Sequence, residues 1–100
     1  GYRVGSDSKK YKASSDFILR KIAGANVLIS VGGNIAHFNG YIEMNETAVL
    51  LWNTLQDSCD VQKLTCALKE KYSLTDSQAF QDVEEFLREL LEHDMVLEVA

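Results

Sequence analysis

This chain of 100 residues contains no proline, only two cysteines, and no long apolar run. Its longest apolar run covers residues 48–52, whereas a membrane-spanning helix needs about 20 apolar residues. The first residues also lack the apolar core of a signal peptide. With 46% hydrophobic and 25% charged residues, the composition predicts one ordered globular domain with no membrane partner.

The two cysteines, Cys59 and Cys66, have a spacing that fits neither a metal site nor a disulfide. They do not form the C-x-x-C pair that is typical of metal sites. Along one helix, a rise of about 1.5 Å per residue would place them too far apart for a disulfide. We therefore expect two free thiols and a reducing, cytoplasmic location.

Positive charge is scarce beyond the first fifth of the chain. Residues 1–21 carry six Lys or Arg against two Asp, whereas residues 22–100 carry four Lys or Arg against thirteen Asp or Glu. The first sixteen residues are also polar, Ser-rich and without apolar periodicity. We expect residues 1–16 to be a flexible basic extension, with a nucleic-acid-binding arm as the alternative, and residues 17–100 to fold.

Hydrophobic periodicity divides the rest of the chain into strands followed by helices. The predicted elements are strands at residues 17–23, 26–31 and 38–44 and helices at residues 46–56, 61–72 and 76–94. Asn45 and Asp60 are good N-caps, and Thr75 with Gln78 forms a capping-box pattern. The predicted fold class is α+β, a three-stranded antiparallel sheet followed by three helices, similar to a winged helix-turn-helix.

The third predicted helix carries an unusually broad apolar arc of roughly 140°, where a surface helix needs roughly 100°. The arc consists of Ala79, Phe80, Val83, Phe86, Leu87, Leu90 and Leu91. Two interpretations remain open: both edges of the arc belong to the core, or Ala79 and Phe86 form a half-exposed edge of a groove.

No residue pattern indicates catalysis. His37 and His93 each stand alone, without Cys, Asp or Glu at the spacing of metal ligands. The carboxylates of the third helix lie mainly on its polar face, and Gly32 and Gly33 lack the lysine of a phosphate-binding loop. We therefore expect no catalytic residue, no metal site and no cofactor.

A winged-helix DNA-binding regulator is the alternative function that the order of elements allows. Residues 76–94 contain seven acidic residues against the single base Arg88, so this helix would repel phosphates. A third hypothesis is a purely structural subunit of a larger enzyme. An exposed strand edge disfavours that hypothesis unless a partner covers the edge.

Three short motifs in a fixed order carry a resemblance to a known family. They are the N-E-T-A turn at residues 45–48 followed by Trp52, the segment 64–72, and the D-V-x-x-F-L-x-x-L run at residues 82–90. Over about residues 17–96 the chain resembles the coenzyme PQQ synthesis protein D (PqqD-like) family, also called RiPP recognition elements. Met44 precedes Asn45 where the family commonly has Leu, and both side chains suit an apolar pocket.

The resemblance implies a non-catalytic module that binds the leader of a ribosomally made precursor peptide and presents it to a modifying enzyme such as a radical SAM maturase. The leader would add as a strand to the third predicted strand, beside the third helix. The tail segment 95–99, MVLEV, is a rival for that strand edge. The implied peptide-binding residues are Asn39, Tyr41, Ile42, Glu43, Met44, Val83, Phe86, Leu87 and Leu90.

Overall fold

The fold is known from a computed structural model, which describes residues 9–31 and 41–99. These residues form five strands and three helices. In chain order they are β1 (Lys10–Ala13), β2 (Phe17–Ile22), β3 (Ala25–Ser30), β4 (Tyr41–Met44), α1 (Glu46–Thr54), α2 (Val61–Lys71), α3 (Asp76–Glu92) and β5 (Val96–Val99). The predicted α+β class, with a three-stranded sheet followed by three helices, is confirmed.

The main sheet is antiparallel and has the strand order β2-β3-β4. A two-residue turn joins β2 to β3, since Ile22 pairs with Ala25 and both intervening residues have positive φ. Ala23 has φ 54° and Gly24 has φ 84°, as a type I′ hairpin turn requires. The turn therefore lies one residue earlier than the predicted Gly24 and Ala25.

The strand β1 lies within residues 1–16, for which the sequence predicted a flexible extension, and that prediction is wrong for residues 10–13. It pairs antiparallel with β5, and Ala13 and Ser14 donate backbone hydrogen bonds to Leu55 and Met95, each at 2.8 Å. Lys10 and Lys12 are exposed whereas Tyr11 and Ala13 are half-buried, so the segment alternates as a strand does. Residues 1–8 lie outside the described residues.

The same pairing removes the tail segment as a rival for the edge of β4. Val96–Val99 forms β5, as the tail segment suggested, but its partner is β1 in a separate two-stranded sheet. Within the described ranges, no strand pairs with the outer side of β4.

All three helices begin at the predicted caps. Asn45 Oδ1 accepts a hydrogen bond from the Ala48 amide at 2.9 Å, and Asp60 Oδ1 accepts one from the Lys63 amide at 2.9 Å. Thr75 and Gln78 form both bonds of the capping box, each at 3.1 Å. Each helix ends one or two residues before its predicted end.

The core lies between the inner face of the main sheet and the three helices. Leucines at 1% exposure or less dominate its centre: Leu28, Leu51, Leu55, Leu64, Leu68 and Leu90. Ala79 and Phe86 are 0% and 8% exposed, so the edge of the apolar arc of α3 that these two residues form belongs to the core. Phe80 is the exception within that arc, at 47% exposure.

Both cysteines are free thiols, Cys59 buried and Cys66 exposed. In the part of the chain that the structure describes, no helix combines the length and the apolar character that crossing a membrane requires.

Candidate functional site

A groove of about 440 Å³ lies between β4, the beginning of α1 and the middle of α3. This volume is within the range of about 300 to 1,000 Å³ that is typical of ligand pockets. Its lining residues are Ile42, Glu43, Met44, Asn45, Thr47, Ala48, Leu51, Asp82, Glu85, Phe86, Glu89 and Leu90.

The floor of the groove is apolar because two elements turn their core faces towards it. Ile42 and Met44 share the inner face of the sheet, where they lie opposite Leu28 and Asn26 of β3. Met44, Leu51 and Leu90 are at most 4% exposed, whereas Ile42 and Ala48 are half-buried. A ligand side chain that enters the groove therefore contacts tightly packed, buried apolar side chains at the floor and half-buried apolar side chains at the rim.

The outer edge of β4 borders this groove. In an antiparallel sheet alternate residues of an edge strand direct their N–H and C=O groups away from the neighbouring strand. Since no described strand pairs with β4 on that side, these groups are available to a further strand.

Asn45 fixes the angle between the β4 edge and α1. Its backbone is extended, with φ −78° and ψ −179°, so the strand continues to the residue at which the helix begins. Its side-chain oxygen accepts hydrogen bonds from the Ala48 amide at 2.9 Å and from Thr47 Oγ1 at 3.0 Å. With no spacer between strand and helix, Asn45 connects directly two of the three elements that line the groove, β4 and α1.

Among the described residues that line the groove, every ionisable side chain is acidic. Asp82, Glu85 and Glu89 belong to α3, and Glu43 belongs to β4. Within residues 9–31 and 41–99, none of these four carboxylates forms an ion pair within 4 Å. The groove thus combines an apolar floor with uncompensated negative charge at its rim.

Five of the nine predicted peptide-binding residues line the groove: Ile42, Glu43, Met44, Phe86 and Leu90. Tyr41 is 65% exposed and lies on the other face of the sheet, opposite Ile29. Val83 and Leu87, at 0% and 5% exposure, belong to the core and not to the lining. Asn39 lies outside the described residues.

The predicted site omitted two parts of the lining. The first is the beginning of α1, which contributes Thr47, Ala48 and Leu51. The second is the set of α3 carboxylates Asp82, Glu85 and Glu89, of which Glu85 and Glu89 had been assigned to a solvated face. Asp82 lies four positions before Phe86, and Glu85 and Glu89 lie one position before Phe86 and Leu90, so on a helix they border the same side as these two residues. The helical periodicity of the sequence could therefore have predicted that these carboxylates lie beside the groove.

A second depression, of about 580 Å³, lies between α2 and α3 and shares no lining residue with the groove. Exposed Phe80 and Cys66 line it, and Lys69 Nζ donates a hydrogen bond to the Asp76 carboxylate at its border. That hydrogen bond raises the pKa of Lys69. Burial raises the pKa of the Cys59 thiol, which is therefore a poor nucleophile.

The described residues offer no cluster of side chains suited to bind a metal ion. Among residues 9–31 and 41–99, no group of three or more His, Cys, Asp or Glu is placed to hold a metal ion. The described part of the groove lining likewise contains no His, Cys or Lys.

The open edge of β4 beside a helix-walled apolar groove defines a class of small α+β domains suited to binding an extended peptide. The sequence profile of the coenzyme PQQ synthesis protein D (PqqD) family matches residues 25–96. The chain therefore belongs to the PqqD family.

Two solved structures share the fold. TbiB1 in complex with the TbiA(beta) leader peptide has a TM-score of 0.69 at 19% identity, covering 89% of this chain and 98% of that one. Lasso peptide synthetase B1 complexed with the leader peptide has a TM-score of 0.67 at 20% identity, covering 87% of this chain and 96% of that one. No curated protein sequence matches this chain significantly.

Proposed function

We propose that this protein is a non-catalytic recognition module that binds the leader of a ribosomally made precursor peptide. The observation that carries the proposal is the open edge of β4 beside the groove, in a member of the PqqD family. Both structural neighbours were solved with leader peptides bound, which supports the same type of ligand here. The leader adds to β4 as an antiparallel strand and directs alternate side chains into the groove.

Backbone pairing with β4 does not suffice for binding. Because β4 has four residues, alternate residues offer about four outward N–H and C=O groups. Each hydrogen bond stabilises the complex by about 0.5 to 1.5 kcal/mol, whereas ordering each leader residue costs about 1 to 2 kcal/mol. The two contributions nearly cancel, so the affinity comes from side chains.

The apolar floor supplies that affinity. An apolar leader side chain buried against Ile42, Met44 and Phe86 stabilises the complex by about 1.5 to 3 kcal/mol. Two or three such anchors, less the cost of association, give a Kd on the order of a micromolar. The shapes of these pockets determine which leader side chains are accepted.

In this proposal, a partner enzyme carries out the chemical modification of the peptide. A bound leader would be presented to a modifying enzyme such as a radical SAM maturase, while this chain contributes affinity and orientation. The cytoplasm is the proposed location, since a reducing compartment keeps Cys59 and Cys66 as thiols.

An NMR titration tests the proposal directly. The probe is the leader of a precursor peptide encoded next to the gene of this chain. We expect amide shifts concentrated at β4 and along residues 82–90 of α3. Shifts confined to the basic residues 3–12 would refute the site and indicate nonspecific electrostatic binding.

A blocking variant provides the control for this titration. Ala48 is half-buried at the rim, so Ala48→Trp would fill the groove without removing a core side chain. We expect the variant to keep its circular dichroism spectrum and to lose the shifts at β4 and α3. Phe80→Ala, in the other depression, is the matched variant that should keep them.

A further inference from the structure

We infer that the groove selects leaders that carry Lys or Arg beside their apolar anchors. This inference rests on the proposed function and specifies the chemistry of its ligand. The groove, with its apolar floor and its open β4 edge, is the site, and the four carboxylates at its rim determine the charge of the occupant.

The α3 carboxylates have a spacing that an extended peptide can match. A helical rise of 1.5 Å per residue separates Asp82 from Glu85 by about 4.5 Å along the axis, and Glu85 from Glu89 by about 6 Å. Side chains on one side of an extended strand recur about every 6.6 Å. Two basic residues at alternate positions of a leader that runs along α3 can therefore reach two of these carboxylates through their flexible stems.

None of the described side chains that line the groove neutralises this charge. In the part of the lining that the structure describes there are four acidic residues and no basic one, and the four carboxylates form no ion pair with any described residue. The beginning of α1 contributes the partial positive charge of a helix N-terminus, but Glu46 in its first turn offsets that charge. An acidic leader side chain would therefore meet like charge from both β4 and α3.

Charge also distinguishes this groove from a purely hydrophobic one in how binding depends on salt. Ion pairs at an exposed rim weaken as salt rises, whereas burial of apolar anchors does not weaken in this way. A basic leader should therefore lose affinity between low and physiological salt, mainly through slower association.

A selection from a display library of random linear peptides tests the inference. The full chain is used as wild type, as the double variant Glu85→Lys with Glu89→Lys, and as a control in which Glu70→Lys and Glu84→Lys produce the same change of net charge. Glu70 and Glu84 are exposed and lie outside the groove lining. We expect wild type and control to enrich basic peptides and the Glu85/Glu89 variant to enrich acidic ones.

Affinity measurements on one peptide enriched by wild type give the size of the effect. The Glu85/Glu89 variant should bind it about tenfold more weakly, since two exposed ion pairs become two like-charge contacts. The control variant should bind it within about twofold of wild type, because Glu70 and Glu84 are exposed, are not among the lining residues and are screened by salt.

The outcomes separate this inference from the proposed function. One outcome is that wild type enriches peptides, that Ala48→Trp no longer enriches them, and that these peptides show no excess of Lys or Arg. This result would overturn the charge selection and leave the proposed peptide binding intact. Equal losses in the Glu85/Glu89 and control variants would also overturn it, since net charge alone would explain them. If Ala48→Trp enriches the same peptides as wild type, both the groove site and its charge selection are wrong.

Discussion

Replacement of Asn45 by alanine should lower stability and loosen the peptide groove at the same time. Loss of an N-cap side chain costs about 1 kcal/mol, within a range of about 0.5 to 2 kcal/mol. A domain of this length unfolds with an entropy of about 0.2 kcal/mol per kelvin, so Asn45→Ala should lower Tm by about 5 °C. Thermal unfolding followed by circular dichroism measures this shift.

The same variant should weaken peptide binding because Asn45 connects β4 to α1, and both elements line the groove. If the whole contribution of the cap acts at the junction between β4 and α1, about 1 kcal/mol corresponds to a fivefold loss of affinity. We therefore expect a Kd about two- to fivefold higher for a peptide enriched on wild type. Fluorescence anisotropy with a labelled peptide gives both Kd values.

Asp60→Ala is the matched control for this prediction. Asp60 caps α2 through the same kind of bond, with the same 2.9 Å distance, and does not line the groove. It should lower Tm by a similar amount and leave the Kd unchanged. Asn45→Ser, which keeps a capping oxygen, should restore both quantities. Equal Kd values for Asn45→Ala and Asp60→Ala would refute a role of the junction in binding.

The remaining predictions concern the hairpin, the thiols and DNA. Ala23→Asn should stabilise the fold by about 0.5 to 1 kcal/mol in urea unfolding, because Asn tolerates positive φ better than Ala; an unchanged midpoint would contradict this explanation. A thiol reagent at neutral pH should modify exposed Cys66 much faster than Cys59, whose burial limits access and raises its pKa; peptide mapping of the first modified thiol decides. Duplex DNA should not bind at physiological salt, and a gel shift that survives there would revive the regulator hypothesis.

Local chemistry explains why so much of the fold was predictable from the sequence. Each helix start depends on a cap and on residues within four positions of it, as Asn45, Asp60 and Thr75 show. The hairpin between β2 and β3 likewise depends on a turn and on the apolar strands beside it. Such signals lie within one short window of the chain.

The strand β1 was not predictable in the same way because its partners are distant in sequence. Tyr11 exchanges backbone hydrogen bonds with Cys59, and Lys10 pairs with Val99. The four-residue alternation Lys-Tyr-Lys-Ala is too short to indicate a strand without those partners. The groove shows the same limit, since the contribution of α1 emerges only when the elements are packed together.

The pairing of β1 with β5 has a consequence for how this domain can be joined to others. Lys10 lies opposite Val99, so the described chain begins and ends side by side, and neither strand contributes to the groove lining. Domains whose ends lie close together tolerate insertion into a loop of another protein as well as fusion at either end. Chain that continues outward from Lys10 and from Val99 therefore leaves from two neighbouring strands, neither of which is among the described residues that line the groove.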